Sequence, residues 1–410
     1  MSAKDHIRHG TPAFRRANWA LFAAGIATFG LLYCVQPLMP QFSREFGVSA
    51  AASALSLSLP SGVLGIALLF SGAISDAKGR KLVMTASLLA SAVLTLLTAL
   101  VSSWAALLVL RTLLGLALSG LPAVAMTYLS EEVHADSIGL GMGLYIAGSA
   151  AGGMGGRLAS GVLSEYFGWR FGVAALGVVG LGCAWVFAQC LPPSQRWAQR
   201  PFVPADSWRR FRGLFADAGL PWLFAEGFVL LGSFITVYNY IGYRLMAPPY
   251  SLSQAAVGLL FSVYLVGTFS STFIGHLAGR LGRRKVLWTM FVVMLAGLAL
   301  TLADPLWVII AGTAVITFGF FGGHSIVSSW VGRRAGSDKA QANSMYLFIY
   351  YLGSSIAGAT GGLFYTRHGW TGVAGFTAAL FAFGLAVACR LYFVPPLAQA
   401  QAAGSAPPMP

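Results

Sequence analysis

The sequence predicts an all-α membrane protein, with twelve transmembrane helices in two pseudo-symmetric six-helix bundles. Three observations carry this. The 410 residues are 57% hydrophobic and only 9% charged, whereas a soluble protein carries about a quarter charged residues. The excess apolar surface must therefore face lipid. Apolar runs of roughly 20 residues recur along the chain, each long enough to cross about 30 Å of hydrocarbon as a helix. Finally, the glycine-rich basic stretch Gly72-Ala73-Ile74-Ser75-Asp76-Ala77-Lys78-Gly79-Arg80-Lys81 has a second copy at Gly275, Gly279, Gly282, Arg283, Arg284 and Lys285, 203 residues on. Recurrence at half the chain length marks a duplication.

Taken in order, residues 1–16 form a basic arm (Lys4, Arg8, Arg15, Arg16). The first apolar run, 17–40, is too long for a signal-peptide core, and Pro37-Leu38-Met39-Pro40 is unlike a cleavage site, so it is read as a retained span. Runs near 53–73, 82–102, 104–127, 138–163 and 171–191 complete a first bundle over 17–191. Residues 192–219 are polar and arginine-rich. Within them Trp208, Phe211, Leu214 and Phe215 fall at helical spacing, with Arg209, Arg210 and Arg212 mostly on other faces. This predicts a helix in the headgroup plane, capped by Asp206 or Ser207. The alternative is a solvated basic linker. Runs near 220–246, 254–278, 286–303, 305–330, 341–363 and 371–394 form a second bundle over 220–394. The Ala- and Pro-rich tail, 395–410, is expected to be disordered.

Loop charge sets the orientation. With the N-terminus in the cytoplasm, that side collects nearly all the Lys and Arg, while the other side holds only Arg44, Arg170, Arg244 and Arg367. Both termini are then cytoplasmic. The net charge of +14 reads as topology rather than nucleic-acid binding, because the cations are scattered over loops between spans. Cys34, Cys183, Cys190 and Cys389 lie in apolar segments without a Cys-x-x-Cys pair and read as packing residues. No Walker-type phosphate loop, no metal-spaced Cys/His cluster and no nucleophile elbow occurs, which argues against an ATP-driven pump, a metal centre, a cofactor or an enzyme.

Two six-span halves joined by a cytoplasmic loop, with the repeated turn, resemble the major facilitator superfamily over nearly the whole chain. Gly72, Asp76, Gly79, Arg80 and Lys81 match that family's signature between spans two and three, G-x-x-x-D-x-x-G-R-K. The resemblance implies a conformational latch made by these residues with Arg283 of the second copy, in which the acidic group sits near a helix N-terminus that favours an anion. The second copy has Gly279 in place of Asp76, so the latch is one-sided. Arg111-x-x-Leu114-Gly115 is similar to the R-x-x-Q-G signature of proton-coupled branches, with Leu114 in place of glutamine. Gly143, Gly152, Gly156, Arg157, Ser160 and Gly161 are similar to the antiporter signature, with Arg157 in place of its proline and Ser160 in place of its first paired glycine. The chain is most similar to the bacterial drug/proton-antiporter-like branch, an impression to which Tyr33 to Leu38 and Tyr238 to Tyr243 contribute.

Ionisable groups inside the spans are few, and each costs about 2.5–3.5 kcal/mol at a span centre on insertion scales, so each needs a partner or a wet cavity. Four stand out. Arg111 lies about 10 Å and Arg157 about 12 Å from the outer surface, counting 1.5 Å per residue from Trp104 and Glu165. At similar depth on adjacent spans, they form either a site for a substrate anion or for proton gating, or two separate staples to backbone carbonyls. Glu226 lies about 10 Å inside the cytoplasmic surface. Such a carboxyl takes up a proton in lipid and loses it near a cation, as proton coupling requires. The alternative is a carboxylate held by the helix dipole and headgroup water. His324 is either a proton carrier or a hydrogen-bonded packing residue. Tyr33, Gln36, Tyr238, Asn239 and Tyr240 offer neutral hydrogen bonds and aromatic faces for an amphipathic ligand, or interface anchors. Gly148, Gly152 and Gly156 repeat every fourth residue and predict close helix packing.

The expected activity is proton-coupled export of small amphipathic compounds across a bacterial inner membrane by alternating access, with Glu226, Arg111 and His324 in coupling and Arg157, Tyr33, Gln36, Tyr238, Asn239 and Tyr240 at the substrate. The alternatives are proton-coupled uptake of a small organic anion, with Arg111 and Arg157 as its clamp, and a non-transporting receptor on the same fold. The expected partners are a small-molecule substrate, protons and the lipid bilayer, with the protein a monomer.

Overall fold

The computed structural model describes residues 6–197 and 211–394. Within them the chain is helical, with a lone bridge between Ile7 and Val133. The first half contains α1 (Pro12–Tyr33), α2 (Met39–Phe46), α3 (Ala50–Lys78), α4 (Arg80–Thr98), α5 (Trp104–Leu118), α6 (Pro122–Glu132), α7 (Ala135–Phe167) and α8 (Trp169–Cys190). The second contains α9 (Leu220–Met246), α10 (Gln254–Leu260), α11 (Tyr264–Leu281), α12 (Arg283–Leu300), α13 (Leu306–Arg334) and α14 (Lys339–Tyr392).

Twelve crossings result because several elements are broken or fused. Short 3-10 turns at Gln36–Leu38 and Phe261–Val263 interrupt the first and eighth spans, and Pro122 restarts the fourth. α14 is two spans folded back at Gly369, whose φ of 59° and ψ of −144° leave the helical region. Serines open several helices: Ser49, Ser103 and Ser253 each accept a backbone N–H three residues on, satisfying donors that a helix start leaves orphaned. Gly79 (φ 99°) and Gly282 (φ 94°) make the two repeated turns, backbone angles that glycine alone adopts without strain. Both turns lie at one end of the molecule, the basic end.

The glycine stripe of α7 packs as expected. A Cβ on Gly148, Gly152 or Gly156 would lie 2.4, 2.3 and 2.7 Å from backbone atoms of Phe22, Ile26 and Gly30 on α1. Gly152→Leu is therefore expected to push the two helices apart, since overpacking costs about 1–3 kcal/mol. A clear fall in Tm of the purified protein checks this; an unchanged Tm would mean that the helices separate freely.

The two halves meet along α3 and α14, where a Cβ on Gly362 would strike Ala51, one on Gly62 would strike Ser355, and one on Gly65 would strike Tyr351 and Phe348. Gly161 of α7 and Gly258 of α10 make a second close approach. Hydrogen bonds between the halves gather away from the basic end: Gln36 to Asn239, Ser43 to Tyr243, Tyr243 to the Met39 carbonyl, Gln254 to the Pro37 carbonyl, and the Gln254 amide to Glu165. At the basic end, Gly72 has open space where a Cβ would lie.

The first part of the expected headgroup helix, with Trp208, lies outside the described residues, as does the tail 395–410, while residues 211–214 are helical. Of its apolar face, Leu214 is buried and Phe215 lies 5.8 Å from Phe224.

Candidate substrate and proton sites

Arg111 is 1% exposed, and its partners follow from two prolines on other helices. Pro60 lies inside α3 and has no N–H, so the Ser56 carbonyl four residues back loses its helical donor. Near Pro37 the first span breaks, and the last carbonyls of α1 lose theirs. Arg111 meets both needs. Its Nε donates to the Ser56 carbonyl at 3.0 Å, Nη1 to Leu31 at 2.9 Å and Nη2 to Leu32. A Cβ on Gly115, one turn along, would fall 2.2 Å from the Pro60 carbonyl, so α5 sits tightly in the bend of α3. This is the carbonyl-staple arrangement of the two expected for Arg111.

Arg157, 2% exposed, is placed differently. Its Nε donates to Gln36 Oε1 at 2.6 Å and Nη1 to the Gly153 carbonyl at 2.6 Å. The guanidinium carbon lies 4.0 Å from the Tyr33 ring centroid, 4.8 Å from Tyr264 and 5.2 Å from Phe261. Gln36 in turn donates to Asn239 Oδ1 at 2.7 Å. A polar string thus runs from α7 through the first-span break to α9, joining the halves. Phe261 and Tyr264 escaped sequence reading, because nothing in an aromatic residue's local context marks it as facing a charge.

Aromatic rings continue from this point toward the basic end. Tyr238 lies 5.1 Å from Tyr264 and 5.3 Å from Phe261, and its hydroxyl pairs with Thr317. Phe234 stacks on Phe320 at 3.8 Å. Tyr240, expected at the substrate, instead donates to the Gly358 carbonyl and stacks on Tyr365. Two residues along a helix turn a side chain by about 200°, so Tyr238 and Tyr240 cannot share one face.

Glu226 is 0% exposed, and neither carboxyl oxygen has a hydrogen-bond partner among the described residues. It lies six residues into α9, about 9 Å along the helix from the basic end. The next residue, Gly227, abuts the Tyr346 ring, which a Cβ would meet at 2.6 Å. The Tyr346 hydroxyl pairs with His324 Nδ1 at 2.9 Å, and His324 lies 4.8 Å from the Tyr350 ring. An anionic carboxylate buried without a partner costs several kcal/mol, a cost that protonation removes.

The signature turn is an ion cluster within the first half. Arg80 lies 2.5 Å from Asp76 and 2.8 Å from Glu131, and donates to Ser75 at 3.1 Å. The Lys81 ammonium donates to the Leu191 carbonyl at 2.6 Å, while Arg283 bonds Ser329 in the second half at 3.2 Å. In this state Asp76 and Arg283 thus bond within their own halves.

The string through Gln36 invites a direct measurement. Replacing Asn239 by Leu removes the buried cross-half hydrogen bond while Gln36 keeps its bond to Arg157. Faster amide hydrogen exchange is expected over Gln36–Phe46 and Asn239–Met246, read by mass spectrometry. Unchanged exchange would mean that the bond bears none of the seal.

A helical shell of two like halves, holding buried charges between them, defines a secondary-transporter architecture. The family model of the Major Facilitator Superfamily matches residues 21–251 and 224–408, and the chain belongs to that family of transporters. It is 50% identical to the inner membrane transport protein YnfM of Escherichia coli (strain K12) over 386 residues, 94% of this chain and 93% of that one. It is 48% identical to the MFS-type transporter YybF of Bacillus subtilis (strain 168) over 370 residues, 90% and 92% of the two chains. Among solved structures, a bacterial homologue of the human lysosomal transporter Spinster, inward-facing and unoccupied, superposes with a TM-score of 0.77 at 13% identity, covering 98% of this chain and 100% of that one. A mutant of the nucleoside transporter NupG superposes with a TM-score of 0.74 at 17% identity, covering 90% and 99%.

Proposed function

We propose that the chain is a proton-coupled exporter of small amphipathic compounds, working by alternating access in a bacterial inner membrane with its basic end in the cytoplasm. The observation that carries the reading is Glu226, a buried carboxyl with no partner on either oxygen among the described residues. A group in that position is stable neutral, and becomes stable as an anion only when water or a cation reaches it. Alternating access provides that change of surroundings. The cross-half bonds gathered away from the basic end support reading this as the state open to the cytoplasm, in which an exporter takes up its load. Arg80 with Asp76 and Glu131, Lys81, and Arg283 in the matching turn would re-pair across the halves when that end closes. The aromatic lining from Tyr33 to His324 suits a flat apolar body with one polar group. The 50% identity to an inner membrane transport protein supports the location.

The test uses everted vesicles holding a pre-formed proton gradient. Addition of amphipathic dyes and aromatic acids in turn is expected to discharge the gradient in vesicles containing the protein and not in empty ones. No discharge with any member of such a panel would overturn proton-coupled export. Uptake of a small organic anion is the second reading, favoured by the absence of any carboxylate within ion-pair distance of Arg157 among the described residues. It predicts accumulation of the anion in intact cells.

A further inference from the structure

We infer that the polar group of the transported compound is a carboxylate bound by Arg157 within its cage of Tyr33, Phe261 and Tyr264, and that its body is aromatic, lying along the rings that continue from Tyr238 toward His324. This rests on the reading of the cleft as the site of a small amphipathic compound. Arg111 and Arg157 are both buried cations, yet only Arg111 has all three guanidinium nitrogens bonded to the protein. Arg157 uses Nε and Nη1, and among the described residues its Nη2 makes no hydrogen bond. The three ring faces attract the cation without neutralising it. Two further polar groups in the cluster are buried and, among the described residues, unpartnered: the Tyr264 hydroxyl and the Asn239 side-chain Nδ2. Tyr264 is one wall of the cage, and Asn239 is one hydrogen bond from Gln36. Asn239 Nδ2 faces Gly358, where a Cβ would meet it at 3.2 Å, whereas the guanidinium's own Nη2 and the Tyr264 hydroxyl beside it are donors without acceptors among the described residues. A carboxylate supplies what they lack: a negative charge and two oxygens with about four lone-pair sites. The planar fork of an arginine matches it edge to edge.

The placement also links occupancy to the seal. A carboxylate engaging Nη2 and Nε together takes the position that Gln36 Oε1 now holds. Gln36 is the residue that bonds Asn239 across the halves, so the ligand loosens the string that keeps the far end shut. Loading from the basic end then favours opening at the opposite one, the order export requires.

The test is equilibrium binding to the full-length protein in nanodiscs, with no proton gradient, using naphthoate, its neutral amide naphthamide and the cation naphthylmethylamine. Naphthoate is expected to bind at least about tenfold more tightly than either analogue, the scale of a charge-assisted bidentate pair. Arg157→Gln should abolish that preference. Arg157→Lys, which keeps the charge and loses the fork, should retain part of it and guards against misfolding of the first variant. Absence of naphthoate binding to the folded protein, equal binding of the amide, or an Arg157→Gln variant that still prefers the acid would each overturn the inference. Because no proton movement is measured, such a failure leaves proton coupling standing. Conversely, naphthoate binding without substrate-linked proton flux would remove the coupling and keep this site.

Discussion

Glu226→Gln is expected to separate substrate movement from proton movement. The amide is nearly isosteric with the protonated acid, so it fills the same volume beside Gly227 and Tyr346 without introducing a buried charge. Folding and Tm should be close to wild type. What the amide cannot do is release a proton when the surroundings become wet. In everted vesicles the variant should leave a pre-formed proton gradient intact on addition of a substrate that discharges it through the wild-type protein. Counterflow of labelled against unlabelled substrate, which needs no net proton transfer, should persist. The pattern matters more than the loss: if counterflow also disappears, Glu226 holds substrate or structure. If coupling survives, the proton is carried elsewhere, with His324 and its Tyr346 partner the next group to test.

Arg111→Leu is expected to give a severe folding defect, larger than that of Gly152→Leu. The buried carbonyls of Leu32 and Ser56 would lose their donor at once, and that of Leu31 would keep only the weak Cys34 thiol. Leaving one buried polar group unsatisfied costs about 1–3 kcal/mol, and stabilities of whole domains are only about 5–15 kcal/mol. The variant should express poorly and elute as aggregate on size-exclusion chromatography. Arg111→Lys, with a single ammonium in place of a three-way fork, should fold with a lowered Tm. The competing role, proton gating, predicts the reverse: well-folded variants of both kinds with impaired coupling. The substitutions at Glu226 and Arg111 thus assign opposite functions to two kinds of buried ionisable group. One is satisfied in full by its own protein, and the other has no hydrogen-bond partner among the described residues.

Much of the fold was legible in one dimension. The duplicated turn at Gly79 and Gly282 and the glycine stripe of α7 are local patterns, and the helices follow them. Where boundaries shifted, a proline or glycine was the cause, as at Pro37, Pro122 and Gly369. The candidate charges were equally visible, because an ionisable residue inside an apolar run is conspicuous by its cost.

What stayed hidden was the partner of each charge. Arg111 and Arg157 look alike in their runs, and their depths from the same surface are similar. One meets carbonyls freed by prolines on two other helices, while the other meets three rings and a glutamine. Tyr238 and Tyr240 look alike too, and the turn of α9 sends them to different neighbours. Hydrophobic length and loop charge act along the chain, so the sequence by itself determined the membrane class, the spans and the paired halves. Hydrogen bonds and ring contacts act across it, between residues separated by as many as 217 positions, as Pro37 and Gln254 are. Only the tertiary structure could decide that Arg111 bonds through all three guanidinium nitrogens and that, among the described residues, Arg157 bonds through two.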